Sequence, residues 1–370
     1  MMNRKEFQQY LQETIKDYLP QSYADANITF NEVVKNNDTH LIGISIAKPG
    51  EVIVPNIYIE NFWNEYQAGK DIDEIVGDIA DMRIEYDAPN IGNDIAATIM
   101  NYEAVKDNLQ IRLCDTQENQ DRLQNLVHTE HSDFSATYHV VIQEGPEGTS
   151  STPVTPQLMD NWGISVDQLH ADALAADFQR NPMLCDMSEM MESLMFGKEP
   201  ENLLDSAGDT SLSAMGMFCL TNGDKVNGAG LLIQDSIMDK IGQVVEGNFY
   251  MLPSSTHEVL IVPESEEIDV KELSAMVCQI NRTEVSPEHR LSDHVQHFDT
   301  DSRVMENAEK RESRLEMEKA EKKNRDVYLY NNLQILKNYD NISIFYLKSK
   351  LYFDKLGLMM ITKEVGGENP

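Results

Sequence analysis

The sequence predicts an α+β protein: two mixed domains with mainly antiparallel sheets covered by helices, then a C-terminal charged helix and a tail. Three observations point there. Apolar residues recur at helical spacing in some segments and alternate in others. A stretch rich in Gly, Pro, Ser and Thr interrupts them. The charge balance changes after residue 298.

Taken in order, Phe7, Tyr10, Leu11, Ile15, Tyr18 and Leu19 mark a first helix that Pro20 stops. Ile42, Ile44 and Ile46 alternate as in a strand, and "NND" at 36–38 supplies a hairpin turn. "NFWNEYQAGK" and "DIDEIVGDIADM" read as two helices. Asp71 and Glu74 have capping-box spacing, and Ile72, Ile75, Val76 and Ile79 share one face. "LQIRLCD" and "ATYHVVIQ" read as strands, with a short helix around "QENQDRL" between them.

This gives an N-terminal domain over 1–145 and a linker over 146–156 within "EGPEGTSSTPVTP". A second domain, 157–298, opens with helices at "TPQLMDNW" and "SVDQLHADALAADFQ". "MGMFCLTN" is a strand ending at an Asn-Gly turn. A helix through Ile237, Ile241, Val244 and Val245 closes at Gly247 as a C-cap. "NFYMLP" and "HEVLIVP" form a hairpin, and Val270, Leu273, Met276, Val277 and Ile280 line a helix over about 269–281. Residues 299–326 read as a charged, exposed helix with Glu306–Lys310 and Glu318–Lys322 spaced i,i+4. Residues 327–370 form an aromatic tail.

The chain carries 63 acidic and 30 basic residues, a net charge of −33, and residues 1–298 hold the whole imbalance. Such a surface repels nucleic acid and anionic membranes, whose recognition depends on Lys and Arg. Direct nucleic-acid binding and a membrane span are therefore not expected. A protein partner is compatible with the composition, and one form of it is a basic protein for which the acidic body acts as a DNA-mimic decoy. Cys114, Cys185, Cys219 and Cys278 lie far apart among apolar residues, which excludes a Cys-x-x-Cys centre and makes them small buried hydrophobes. The segment "MMNRKEFQQY" lacks the apolar core of a signal peptide, so the expected compartment is the cytoplasm.

Chemistry is most suggestive at "LPSSTHEVLIVPE", residues 252–264. A hydrolase or metal-dependent enzyme would use Ser254, Ser255, His257 and Glu258 there. The His-Glu-x-x-His pattern fails, because Ile261 stands where the second His belongs, and strand alternation sends His257 and Glu258 to opposite faces. No glycines flank the serines as in a nucleophile elbow. Apolar residues of both parities, Val259, Leu260, Ile261 and Val262, mark a central strand covered on both sides. "PEHRLSDHVQHFDTD" offers His289, His294 and His297 as metal-ligand candidates, with a polar surface segment as the plainer reading. "TNGDKVNGAG" lacks the Lys-Ser/Thr of a phosphate loop, and its glycines read as a turn and close packing. No cofactor is expected, and the leading function is that of a non-catalytic macromolecule-binding or accessory protein.

The blocks "NYEAVKDNLQIRLCDTQEN", "MFCLTNGDKVNGAGLL", "FYMLPSSTHEVLIVPE" and "NRTEVSPEHRLSDHV" resemble those of an uncharacterised bacterial domain family of unknown function. That family is common in anaerobic gut Firmicutes and often encoded on mobile elements. The likeness covers about residues 3–300. It implies a cytoplasmic protein with a shared α/β fold, and brings no activity, cofactor or catalytic residue.

Overall fold

The computed structural model describes residues 2–51, 54–86, 91–145, 148–205 and 216–337, and it divides into two units, Met1–Glu309 and Lys310–Pro370. In the first unit, α1 (Arg4–Thr14) starts at Asn3, whose side chain accepts the Lys5 and Glu6 amides while Glu6 accepts the Asn3 N–H. Its apolar stripe, Phe7 and Leu11, continues into Ile15 and is fully buried. It shares a core with an antiparallel sheet of β1 (Asn27–Val34), β2 (His40–Ala47) and β3 (Asn56–Tyr58), and with α2 (Glu60–Gln67) and α3 (Ile72–Glu85). Ile44, Ile46, Ile57, Ile75, Val76 and Ile79 fill it. Asp71 caps α3 through the Asp73 amide at 2.9 Å.

Arg83 of α3 is fully buried in this layer. Its Nε donates to the Ile46 carbonyl at 2.9 Å, and Nη2 reaches both Glu51 oxygens at 2.6 and 2.7 Å. The guanidinium also lies 5.0 Å from the Tyr23 ring centroid. A desolvated cation with that many partners fastens the segment after β2 to the helix.

The chain continues through α4 (Ile91–Ile99) and α5 (Tyr102–Val105) into a second antiparallel sheet. Its strands are β4 (Leu109–Asp115), β5 (His128–His131), β6 (Phe134–Gly145) and β7 (Gly148–Pro153), with α6 (Gln120–Leu123) between β4 and β5. β6 pairs with β4 along one side, and with β5 and then β7 along the other. The stretch 146–156, expected as a linker, thus contributes β7. Val154 within it is fully buried in a core that holds Val140, Leu169, Leu184, Leu220 and Ile261 from both flanks. Next, α7 (Pro156–Trp162) and α8 (Val166–Phe178) are capped by Thr155 and Ser165, and α7 ends on Gly163 at φ 68°.

The third sheet joins β8 (Pro182–Asp186), β9 (Phe218–Asn222), β10 (Phe249–Leu252), β11 (Val259–Pro263), β12 (Gln296–Asp299) and β13 (Val304–Asn307) in the order β13-β12-β10-β11-β9-β8. It packs with α9 (Met187–Phe196), α10 (Asp235–Val244) and α11 (Val270–Thr283). The expected hairpin is β10 paired antiparallel with β11, which lies inside the sheet with Val259 and Ile261 fully buried. The cap of α10 is shifted by one residue from expectation. Glu246 takes the left-handed conformation at φ 59°, and the Gly247 amide bonds back to the Gly242 carbonyl at 3.1 Å. Cys114, Cys185 and Cys219 are buried and Cys278 is half-buried.

The charged helix starts later than residue 299. Asp299 accepts the Ser302 amide at 2.8 Å and Arg303 turns the chain at φ 58°, so 304–307 return as edge strand β13. The helix, α12, is Ala308–Lys337. Its Arg314 and Glu318 pair at 3.0 Å, and Met317, Val327, Tyr328 and Tyr330 are exposed. Most of the aromatic tail, 338–370, lies outside the described residues. Among the described residues no helix is long and apolar enough to cross a membrane.

Replacing Glu51 with Ala would leave the Arg83 guanidinium buried with its carboxylate removed. The expected loss is roughly 2–4 kcal/mol, below the figure for a wholly buried pair because Glu51 is partly exposed. Urea unfolding of the two proteins measures it.

Candidate functional site

The middle sheet has two unlike faces. Leu109, Ile111 and Leu113 of β4, with Phe134, Ala136, Tyr138 and Val140 of β6, enter the core. The alternate residues are mostly polar: Gln110 and Arg112, followed by Cys114, on β4, and Ser135, Thr137 and His139 on β6. Register sets Arg112 opposite Thr137 and Gln110 opposite His139. An antiparallel sheet commonly turns such a face to water. Here Gln110, Ser135, Thr137 and His139 are at most 5% exposed.

The β1–β2 turn helps to fasten the cover of that face. Asn36 donates to the Arg290 carbonyl at 2.8 Å, and Asn37 donates to the Pro287 carbonyl at 2.8 Å. The Asn37 amide donates to the Asn119 side chain at 2.8 Å. Asp38 accepts the Asp121 and Arg122 amides at 2.9 and 3.0 Å. Asn37 and Asp38 both have positive φ, 57° and 43°, a conformation short amide and carboxylate side chains tolerate. Lys35, next to this turn, sits 4.6 Å from the Tyr58 ring centroid.

These elements enclose a cleft of about 1620 Å³, whose lining includes Lys35, Arg112, Arg122, His139, His257 and His289. Arg112 donates from Nε to Gln110 at 3.2 Å and from Nη2 to Ser151 at 2.7 Å. Among the described residues, neither arginine nor Lys35 forms an ion pair. The carboxylates on the cleft wall are engaged elsewhere or stand apart. Glu32 holds His40 at 2.8 Å and Asp224 faces Arg180 at 3.3 Å, while Glu288 is exposed.

Burial, then the nearby Arg122 and Arg180 charges, pull Arg112 down to about 10. Burial also lowers Arg122. His139 is pushed well below its ordinary value by burial and by Arg112, Arg122 and Lys35, so it is neutral at pH 7, and its Nδ1 has no hydrogen-bond partner. Three cations on one cleft are arranged to receive negative charge, and the His139 Nδ1 lone pair beside them is open to a donor.

The sequence-predicted residues fall as follows. His257 and His289 come together on the cleft wall, ring centroids 4.6 Å apart. His257 Nδ1 accepts the Asn227 amide at 3.2 Å, which leaves the ring proton on Nε2, and burial, His289 and Arg112 lower its pKa. Ser255 is buried, and its hydroxyl accepts the His257 amide at 3.0 Å. The Ser254 carbonyl accepts the Leu291 amide. Glu258 is exposed. His294 is exposed, whereas His297 is buried on β12 beside Tyr250 and 3.3 Å from Glu264, so these two and His289 are not brought together. Among the described residues no three metal-ligating side chains cluster. Gly228 is a close-packing glycine: a Cβ there would meet the His257 carbonyl at 2.5 Å.

Sequence reasoning passed over Lys35, Arg112, Arg122 and His139. A signal existed in the polar parity of "LQIRLCD" and "FSATYHV", two adjacent candidate strands each offering one hydrophilic face.

The sequence profile of the family of unknown function DUF5688 matches residues 4–300, and the chain belongs to that family. No curated protein and no solved structure matches the chain.

Behind β4, Asp177 of α8 accepts the Ile111 amide at 3.1 Å, and burial raises its carboxyl to about 7. A raised carboxylate pKa contributes stability that is complete below about pH 4 and is lost as pH rises through 7. Asp177→Asn keeps an oxygen for Ile111 and removes the titration. Between pH 4 and 8 the wild type should lose up to about 4 kcal/mol relative to the variant, read from urea unfolding across that range.

Proposed function

We propose that this DUF5688 protein is a binding protein whose cleft receives an anionic group of its ligand or partner. The supporting observation is that Lys35, Arg112 and Arg122 line one cleft and, among the described residues, none of them forms an ion pair, although the Asp38 and Asp177 charges lie close enough to act on Arg122 and Arg112. A guanidinium loses much of its hydration when buried, and that cost is recovered when an anion accepts its N–H groups.

The acidic body sharpens the selection. A polyanion such as duplex DNA meets a net charge of −33 before it reaches the cleft, whereas one or two negative groups feel mainly the local cations. The hydrolase reading has less support: the Ser255 hydroxyl is engaged with backbone and Glu258 points to solvent.

Titration calorimetry of the full chain with inorganic phosphate, sulfate, succinate and glutamate tests the proposal. At least one of these should bind, and Arg112→Gln or Arg122→Gln should each weaken it by about 10- to 100-fold, the worth of a charge-assisted hydrogen bond, in variants that circular dichroism shows to be folded at the titration temperature. Equal affinity in both variants, or no binding across the panel, would refute it.

A further inference from the structure

The cleft has a second property that bears on what carries the anionic group. Five consecutive residues of one strand, Thr149 to Pro153, line it. A strand presenting one face to a cavity would contribute alternate residues, because successive side chains point to opposite sides. β7 therefore meets the cleft edge-on. β6 pairs with it on one side only, and among the described residues Thr149–Thr152 make no backbone hydrogen bonds except those to β6.

Open edges in folded proteins are usually guarded by Lys, by a central Pro or by a bulge that twists the edge away. Here "GTSSTP" is uncharged with Pro only at its end, so the edge is blunted only by the irregularity in β6 between Val141 and Gln143. Glu32–Asn36 face the same space from the other wall. Five extended residues span roughly 17 Å, so one added strand, with the usual spacings of about 4.8 Å between strands and 10 Å between faces, occupies roughly 800 Å³, about half of the cleft's 1620 Å³.

We propose that the cleft is a docking groove for an extended acidic peptide segment of another protein, which adds as a strand to the edge of β7 that no described residue pairs and sets a carboxylate side chain on Arg112 and Arg122. The inference rests on the anion-binding reading above and adds a backbone contact to it. Main-chain pairing with β7 gives the register. Arg112, already aligned by Ser151 of that strand at 2.7 Å, meets the first acidic side chain on the polar face, and Lys35 lies on the same cleft for a second. Strand addition suits an acidic protein because the peptide brings only one or two charges.

The test uses the full chain and fluorescein-labelled pentapeptides that alternate glutamate with valine, threonine or phenylalanine, read by fluorescence anisotropy. At least one should bind, its glutamine analogue at least tenfold more weakly, and Arg112→Gln should cause a similar loss. Alternate amides of a paired strand face opposite ways. N-methylation of one alternating set should therefore abolish binding, and methylation of the other set should spare it. Peptide binding that is indifferent to both methylation patterns, or equal for glutamate and glutamine forms, overturns strand addition. Failure of every peptide, while phosphate or succinate still binds in an arginine-dependent way, also overturns it and leaves the anion site standing. Failure of peptides and small anions alike removes both.

Discussion

Asn36, Asn37 and Asp38 help to hold the N-terminal layer over the polar face of the middle sheet, and the candidate site exists because of that closure. Their side chains and backbone reach the segments at 287–290 and 119–122 through several hydrogen bonds of 2.8–3.0 Å. Asn119, itself fully buried, completes the clamp by donating to the Asp115 carbonyl at 2.9 Å. Asp115 in turn accepts the Ser292 hydroxyl at 2.6 Å. One hydrogen bond is worth about a kilocalorie per mole net, but a buried polar group left unpaired costs more than that, so the network acts as a unit.

Once the layer is closed, electrostatics follow from burial. Gln110, Thr137 and His139 would be unremarkable on a wet sheet face. Under cover, they have to find partners inside the protein. Gln110 does so with Arg112 and with Asn227. His139 Nδ1 does not. In a chain with twice as many acids as bases, Arg112 and Arg122 could easily have been given carboxylates. Instead Glu32 and Asp224 on the wall are turned to His40 and Arg180. Positive potential is thereby preserved inside a strongly negative body.

The two ends of the molecule show how unevenly structure is written in sequence. The hairpin β10–β11 was legible because both parities of Val259–Val262 are apolar, and a strand with two apolar faces belongs inside a sheet. Helices α1, α3, α10 and α11 were legible from 3.6-residue spacing and, for α3, from the cap at Asp71. The stretch at 146–156 misleads for a definite reason. Gly, Pro and Ser disfavour helix and central strand, but Thr suits extended backbone and an edge strand needs only backbone pairing on one side, which β6 supplies. The start of α12 was similarly hidden, since the charges that suit an exposed helix suit an exposed edge strand such as β13 equally well.

By itself the sequence determined the fold class, the central strand, the exclusion of a zincin or nucleophile-elbow motif, and the membership in a family of unknown function. Each of these depends on residues close together in the chain. Tertiary structure alone decided that His257 meets His289 while His294 and His297 go elsewhere, because their positions follow from loop paths and strand ends rather than spacing. It also decided that the polar parity of β4 and β6 is buried. Alternation in a sequence says which residues share a face. Whether water or another layer lies against that face depends on contacts between residues as far as 254 positions apart, such as Asn36 with Arg290, and these no local pattern encodes.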